Sequence, residues 1–207
     1  MNDMKIGLVG FGTVGQALYQ VIGRAANTHA SITKICVRSL DKPRDVEVPA
    51  GMLTTSPDDI LSDPSINLVV EVIDDAESAF RIVSEALRRG KNVVSGNKAM
   101  LARHLPELME LQRATGSALL YDASSCGSIP VIRNLEEYYD NDLLLEVKGI
   151  LNGSSNFILS RVFDHGEDYA DALRRAQKLG FAESDPTHDV SLSLIHISEP
   201  TRPLYIS

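Results

Sequence analysis

The stretch Met4–Gly15, MKIGLVGFGTVG, constrains this chain more than any other. A short apolar run, Ile6–Val9, stops at Gly10-Phe11-Gly12-Thr13-Val14-Gly15, and a helix-like segment, Gln16–Ile22, follows. Strand, G-x-G-x-x-G, then helix is the turn that holds a dinucleotide, and each glycine has a steric task. Gly10 permits the tight turn, Gly12 lets backbone approach a pyrophosphate, and Gly15 lets the helix pack closely on the strand. The helix N-terminus then presents unpaired N–H groups and the positive end of its dipole to the phosphates. The expected cofactor-binding set is Gly10, Phe11, Gly12, Thr13, Val14 and Gly15; the alternative is a glycine-rich turn that holds no ligand.

Which dinucleotide binds depends on the next strand tip. NAD enzymes place an Asp or Glu on the ribose hydroxyl about 20 residues beyond the last glycine, whereas an Arg suits a 2′-phosphate. Here the run Ile32–Val37 ends at Arg38, with Ser39 and Lys42 just behind and no carboxylate at the tip, although Asp41 is close. A guanidinium and a lysine favour a phosphate dianion over a bare ribose diol. NADP is therefore the preferred cofactor and NAD the alternative; the competing view of Arg38 and Lys42 is that they are solvated loop charges.

Apolar runs and helical patterns then alternate: Ile6–Val9, a helix over 13–24, Ile32–Val37, a loop, a short helix near 57–62, and Leu68–Ile73. An amphipathic helix over about 76–90, the strand Asn92–Ser95, a helix over 104–115 and the strand Ala118–Tyr121 complete the series. Strand–helix alternation with short continuous apolar strands predicts a Rossmann-type, doubly wound parallel sheet covered on both faces. Its ligand crevice lies at the carboxyl ends of the strands. After Tyr121 come the small-residue segment DASSCGSIP (122–130), a helix over Val131–Tyr139, a strand over Leu145–Ile150, and helices over 156–163 and 168–179 ending at Gly180. The α/β fold expected is thus a dinucleotide-binding domain over 1–125 followed by a truncated α+β substrate domain over 126–191.

Composition narrows the function classes. A net charge of −8 and the absence of any basic patch argue against nucleic acid or an anionic membrane as partner. No run reaches membrane-spanning length, and the N-terminus has no signal-like apolar stretch. Cys36, in an expected strand, and Cys126, in an expected loop, make no disulfide framework and fit a reducing cytoplasm. Cys126 has no histidine or basic neighbour to activate it, and His165 and His188 read as loop residues.

Five segments together resemble homoserine dehydrogenase, an enzyme of the aspartate-derived pathway to threonine, methionine and isoleucine. They are GFGTVG (10–15), SGNKAM (95–100), DASSCGSIP (122–130), GILNGSSNFIL (149–159) and LGFAESDPTHDV (179–190), in an order that fits residues 4–190. The resemblance implies an oxidoreductase that interconverts L-aspartate-4-semialdehyde and L-homoserine by hydride transfer, a homo-oligomer in the full-length protein. It implies that Lys98 sits between cofactor and substrate as a catalytic and cofactor-binding residue. Glu183 would be the catalytic carboxylate that binds the substrate's amino group, and Gly180 would lie near the cofactor. Asp122, Ser125, Gly127 and Ile129 match positions that hold a monovalent cation such as Na+, mostly through backbone carbonyls. Ser125-Cys126 replace the usual valine-glycine there, and Asp74-Asp75 replace a usual glycine pair beside the nicotinamide. The chemistry is coherent: aldehyde reduction needs a hydride and a proton, and a lysine ammonium can relay the proton and stabilise the developing alkoxide.

The family pattern continues with an aspartate and a lysine where this chain has Leu194 and Ser198. From Leu192 the text reads LSLIHISEPTRPLYIS, without helical period, and it resembles translated sequencing-adapter DNA rather than a natural continuation. Residues 192–207 are therefore expected to be an artefactual tail, loosely ordered if ordered at all, on an inactive fragment; the alternative is a divergent C-terminus. Two other functions stand beside the first: a dinucleotide-binding module without catalysis, or another two-domain dehydrogenase such as aspartate-semialdehyde dehydrogenase. The latter needs a nucleophilic cysteine, which Cys126 is poorly placed to supply.

Overall fold

Ile6 and Leu8 of strand β1 (Met4–Val9) are buried toward one side of the sheet and Val9 toward the other, which is how a strand covered on both faces must read. The computed structural model describes residues 3–25, 29–126, 130–139, 145–146, 153–179 and 181. After β1 come α1 (Thr13–Arg24), β2 (Ala30–Cys36), β3 (Leu53–Thr54), α2 (Asp58–Leu61) and β4 (Leu68–Glu71). Then follow α3 (Ala76–Arg88), β5 (Asn92–Ser95), α4 (Lys98–Thr115) and β6 (Leu119–Leu120). The six strands form one all-parallel sheet in the order β3-β2-β1-β4-β5-β6. The strand order reverses between β1 and β4, and the crevice of a doubly wound sheet opens at that point.

Each face of the sheet has its own core. On one, Val9, Val69, Val93 and Leu119 pack against α2, α3 and α4 through Ile60, Ala79, Val83, Leu87, Met100 and Leu108. On the other, Ile6, Leu8, Ile32, Ile35 and Val70 pack under Leu18, Tyr19 and Ile22 of α1 and under Val46, Val48 and Met52. Leu53 of β3, an edge strand that the sequence presents only as loop, packs against this second core. Two residues, Leu53 and Thr54, pair with Ile35 and Cys36, too short a run to leave a periodic signal.

Caps set the helix ends. Asp75 accepts from the Ser78 N–H at 2.8 Å and starts α3, and Gly116, at φ 72°, closes α4 in the left-handed conformation. Helix α4 begins at Lys98, earlier than the 104–115 expected, because Asn97 caps it by accepting from the Met100 N–H at 2.8 Å. Pro106 sits inside this helix and hid its first turns from the sequence pattern.

Contacts divide the chain between Ser124 and Ser125 into two compact units. Asp122–Cys126 form a short helix, α5, so Cys126 belongs to a helix and not to the expected loop. In the second unit the described elements are α6 (Val131–Tyr138), α7 (Gly153–His165) and α8 (Tyr169–Lys178). Helices α7 and α8 share a small core of Ile158, Ala172 and Ala176. Glu167 ties them by accepting from Arg161 Nε at 2.6 Å and Arg175 Nε at 3.0 Å. His165 is the last residue of α7 rather than a loop residue. Of the expected strand over 145–150, only Leu145 and Glu146 lie among the described residues, and they are not in a strand. The expected tail, 192–207, and His188 lie outside the described residues.

A Cβ on Gly15 would sit 2.3 Å from the Gly10 carbonyl oxygen, whereas a Cβ on Gly12 would meet nothing within 4 Å. Gly15→Ala should therefore cost about 1–3 kcal/mol of unfolding free energy through overpacking. Gly12→Ala should cost no more than about 1 kcal/mol, the range of an N-cap change. Urea denaturation of the two variants against the parent checks the ordering.

Candidate functional site

Four strand tips meet at the reversal point. At the first, Gly10 takes φ 102°, and a Cβ there would sit 2.8 Å from the Val72 carbonyl oxygen. Its N–H donates to the Cys36 carbonyl at 3.0 Å, so the turn is clamped between β2 and β4. Gly15 is buried against that turn. Gly12 is the N-cap of α1 and no side chain caps it, while Thr13 and Val14 are exposed. The result is a cradle with open space at Gly12 beside the N-terminus of a 12-residue helix. Backbone N–H groups there fit a pyrophosphate, which needs close approach and positive potential. Phe11, within the same motif, buries its ring edge-on against Tyr19 at 5.8 Å. Only its backbone belongs to the cradle.

At the second tip, Arg38 projects into solvent and donates through Nη2 to Asp74 Oδ1 at 3.2 Å. Asp74 follows β4 and Arg38 follows β2, so the pair passes over the carboxyl end of β1 that lies between them. Both side chains are more than four-fifths exposed, 84% and 86%, and such a pair is worth no more than about 1 kcal/mol. Lys42 is exposed on the same loop. Arg44 shapes that loop by donating to the carbonyls of Ser39, Leu40 and Lys42 at 2.5, 3.1 and 2.8 Å. Gln16 Oε1 accepts from the Asp45 and Val46 N–H groups and fixes the loop to α1. Neither Arg44 nor Gln16 is evident from the sequence, since a charged loop residue and a helical glutamine are ordinary surface text.

The third and fourth tips, β4 and β5, are joined by a polar network centred on Glu71. Glu71 is fully buried at the end of β4. Its Oε2 accepts from Ser95 Oγ at 2.5 Å and its Oε1 from the Ile73 N–H at 2.8 Å. Ser95 Oγ in turn accepts from the Asn97 N–H at 3.1 Å, and Asn97 Nδ2 donates to the Ile73 carbonyl at 3.0 Å. The ring closes on itself and holds the loops after β4 and β5 at fixed separation. Burial pushes the Glu71 carboxyl above the usual carboxylate range, and the bonds from Ser95 and Ile73 only partly oppose that. The one clue in the sequence was a glutamate inside the otherwise apolar run LVVEVI.

Lys98, the first residue of α4, stands at the rim of this network with its side chain exposed. The Asn97 cap and the Glu71 ring fix its backbone, so it has a defined origin and a free ammonium reach. Asp122 is the first residue of α5, just past β6, and Ser125 lies within that helix. Gly127, Ile129, Gly180 and Glu183 lie outside the described residues. Among the described residues no cluster of three or more His, Cys, Asp or Glu could hold a metal ion, and no helix is long and apolar enough to cross a membrane.

Comparison with known proteins matches this arrangement. The profile of the homoserine dehydrogenase NAD-binding domain matches residues 10–122, and that of homoserine dehydrogenase itself matches 130–192. A homoserine dehydrogenase from Bacillus subtilis is 36% identical over 197 residues, covering 92% of this chain and 46% of that protein. One from Synechocystis is 40% identical over 192 residues, covering 90% and 44%. The chain thus spans about half the length of the curated relatives it matches. Among solved structures, a homoserine dehydrogenase from Thiobacillus denitrificans superposes with a TM-score of 0.76 at 36% identity, covering 94% of this chain and 47% of that one. A hyperthermophilic archaeal homoserine dehydrogenase in complex with NADPH gives a TM-score of 0.70 at 26% identity, covering 94% and 67%.

Glu71 makes a prediction about stability and pH. Its folded pKa lies above the unfolded value of about 4.3, so the native state holds the proton more tightly. That contribution to stability is fully present below the unfolded value and is lost as the pH rises through the raised folded one. Glu71→Gln should flatten this slope. Glu71→Ala should instead cost about 1–3 kcal/mol at every pH, because it leaves the Ile73 N–H and the Ser95 hydroxyl without their acceptor. Denaturant unfolding at stepped pH distinguishes the two.

Proposed function

Since this chain belongs to the homoserine dehydrogenase family, an NAD(P)-binding family of oxidoreductases, we propose that it supplies the dinucleotide site of an NADP-preferring homoserine dehydrogenase. The reaction is the interconversion of L-aspartate-4-semialdehyde and L-homoserine. The observation that carries this is the cradle at Gly10, Gly12 and Gly15, where Gly10 and Gly15 have no room for a side chain and Gly12 opens to empty space. Bound there, the dinucleotide would supply the hydride that reduces the aldehyde. The N–H groups of Thr13, Val14 and Gly15 would hold the pyrophosphate, and Gly12 would let it approach.

Arg38 supports the preference for NADP. A 2′-phosphate dianion binds a guanidinium through charge-assisted hydrogen bonds worth about 1.5–3 kcal/mol, more than the exposed pair with Asp74 that it would displace. Lys98, anchored by the Asn97 cap, would stand between cofactor and substrate and relay a proton to the nascent alkoxide. Glu183 would meet the substrate ammonium, Gly180 would lie near the cofactor, and Asp122, Ser125, Gly127 and Ile129 would hold a monovalent cation such as Na+. These assignments follow the family's motif positions. The full-length protein would assemble as a cytoplasmic homo-oligomer.

Two outcomes test this reading. Arg38→Asp should weaken NADPH binding by about 1.5–3 kcal/mol, roughly ten- to a hundredfold, and change NADH binding far less. Equal losses in the two fluorescence titrations would reject the phosphate-binding role. The 207-residue chain itself should bind dinucleotide but oxidise little homoserine, because Leu194 and Ser198 stand where the family places an aspartate and a lysine. Positioned acid–base groups contribute about 10²–10⁴-fold. Full turnover from this chain would refute the roles given to those positions.

A further inference from the structure

Among the described residues Glu71 is the only carboxylate that is fully buried. Both of its oxygens have partners, the Ser95 hydroxyl and the Ile73 N–H, that can donate to the carboxylate once it is ionised. Among the described residues no lysine, arginine or histidine neutralises it, and no cation figures among the causes that set its proton affinity. The other charges at this rim are exposed: Asp74 is paired with Arg38, Asp75 caps α3, and Lys98 extends into solvent. Water and salt screen those groups, whereas the field of a buried charge is screened far less.

The strand order assigns that field a target. A sheet ordered 3-2-1-4-5-6 is two mononucleotide-binding halves, β1–β3 and β4–β6, and a dinucleotide lies across both. With the phosphate-bearing adenosine at Arg38 on the first half, the nicotinamide end falls to the second, over the tips of β4 and β5. Glu71 lies directly beneath those tips. The nicotinamide ring is cationic when oxidised and neutral when reduced.

We propose that Glu71 is a specificity-determining residue for the oxidation state of the cofactor, its buried negative charge favouring the oxidised, cationic ring over the reduced one. The inference rests on the dinucleotide reading above and adds a term to it. The desolvated carboxylate raises the energy of the empty site, and a cation above it recovers part of that cost. The neutral ring recovers none. By linkage, the effect is reciprocal: oxidised cofactor should make Glu71 easier to ionise than reduced cofactor does.

The test is a comparison of NADP+ and NADPH affinities, by calorimetry at pH 8, for the 207-residue chain and two variants. Glu71→Gln keeps the shape and removes the charge. It should lower the ratio of NADP+ affinity to NADPH affinity by at least about threefold, the size expected of a unit charge acting through a partly buried path. Ser95→Ala loosens the same network but keeps the charge. It should weaken both cofactors alike and leave the ratio in place. An unchanged ratio in Glu71→Gln overturns the inference while leaving the dinucleotide site intact. Binding of neither cofactor by the parent chain overturns the dinucleotide reading, and the inference with it. Should Glu71→Gln fail to fold, the parent chain still decides the matter. Carbon-13 NMR of the Glu71 carboxyl should give a lower titration midpoint with NADP+ bound than with NADPH bound, and equal midpoints would overturn the proposal.

Discussion

Because Gly15 has no side chain, α1 can begin with its first turn against the backbone of Gly10, at a separation where any Cβ would lie 2.3 Å from a carbonyl oxygen. That approach fixes the angle at which the helix leaves the sheet and aims its N-terminus over the reversal between β1 and β4. Gly10 is constrained from the other side by the Val72 carbonyl, so the turn is wedged between α1 and the end of β4. The remaining features of the crevice are placed relative to this wedge. Arg38 and Asp74 meet over it, and the loops after β4 and β5 stand beside it.

The second determinant is polar. A doubly wound sheet leaves backbone groups unpaired at its carboxyl ends, and buried ones must find partners. Glu71 and Ser95 meet this requirement from within the strands themselves, and Asn97 extends the network to the start of α4. A buried carboxylate is a costly way to tie two loops, since neutral groups could have accepted the same bonds. The cost is reflected in the raised proton affinity of Glu71. The buried carboxyl under the crevice floor is the group through which the proposed preference for cofactor oxidation state would act.

Much of the first unit is legible in the sequence because its signals are local. Strand β5 carries the valine pair Val93-Val94 after a basic helix end and a glycine stop, and α1 follows directly from the glycine turn, so both lie where their residues predict. Helix α4 is longer than its amphipathic pattern because Asn97, read as part of a functional motif, is also a cap, and Pro106 interrupts the apparent period. Strand β3 depends wholly on pairing with β2, a tertiary fact that two residues cannot encode. Phe11 shows that motif membership does not give direction, since its ring turns into the core while its backbone remains at the turn. Glu71 was visible as an anomaly in an apolar run, but its partner Ser95 lies 24 residues away and could be found only in three dimensions. In the second unit, the pairing of α7 and α8 follows from small residues at Ala172 and Ala176 facing Ile158, a pattern readable once the two helices are known to be adjacent.

The central claim is that a dinucleotide occupies the cradle at the end of β1, with its pyrophosphate on the first turn of α1. The most direct measurement is a backbone amide NMR titration of the 207-residue chain with NADPH. The account predicts the largest shifts at Gly12, Thr13, Val14 and Gly15, with a second group at Arg38 and the loop that Arg44 holds. Saturating NADPH that leaves those amides unmoved, or moves instead the opposite end of the sheet around Lys5, Asn67 and Lys91, would contradict it.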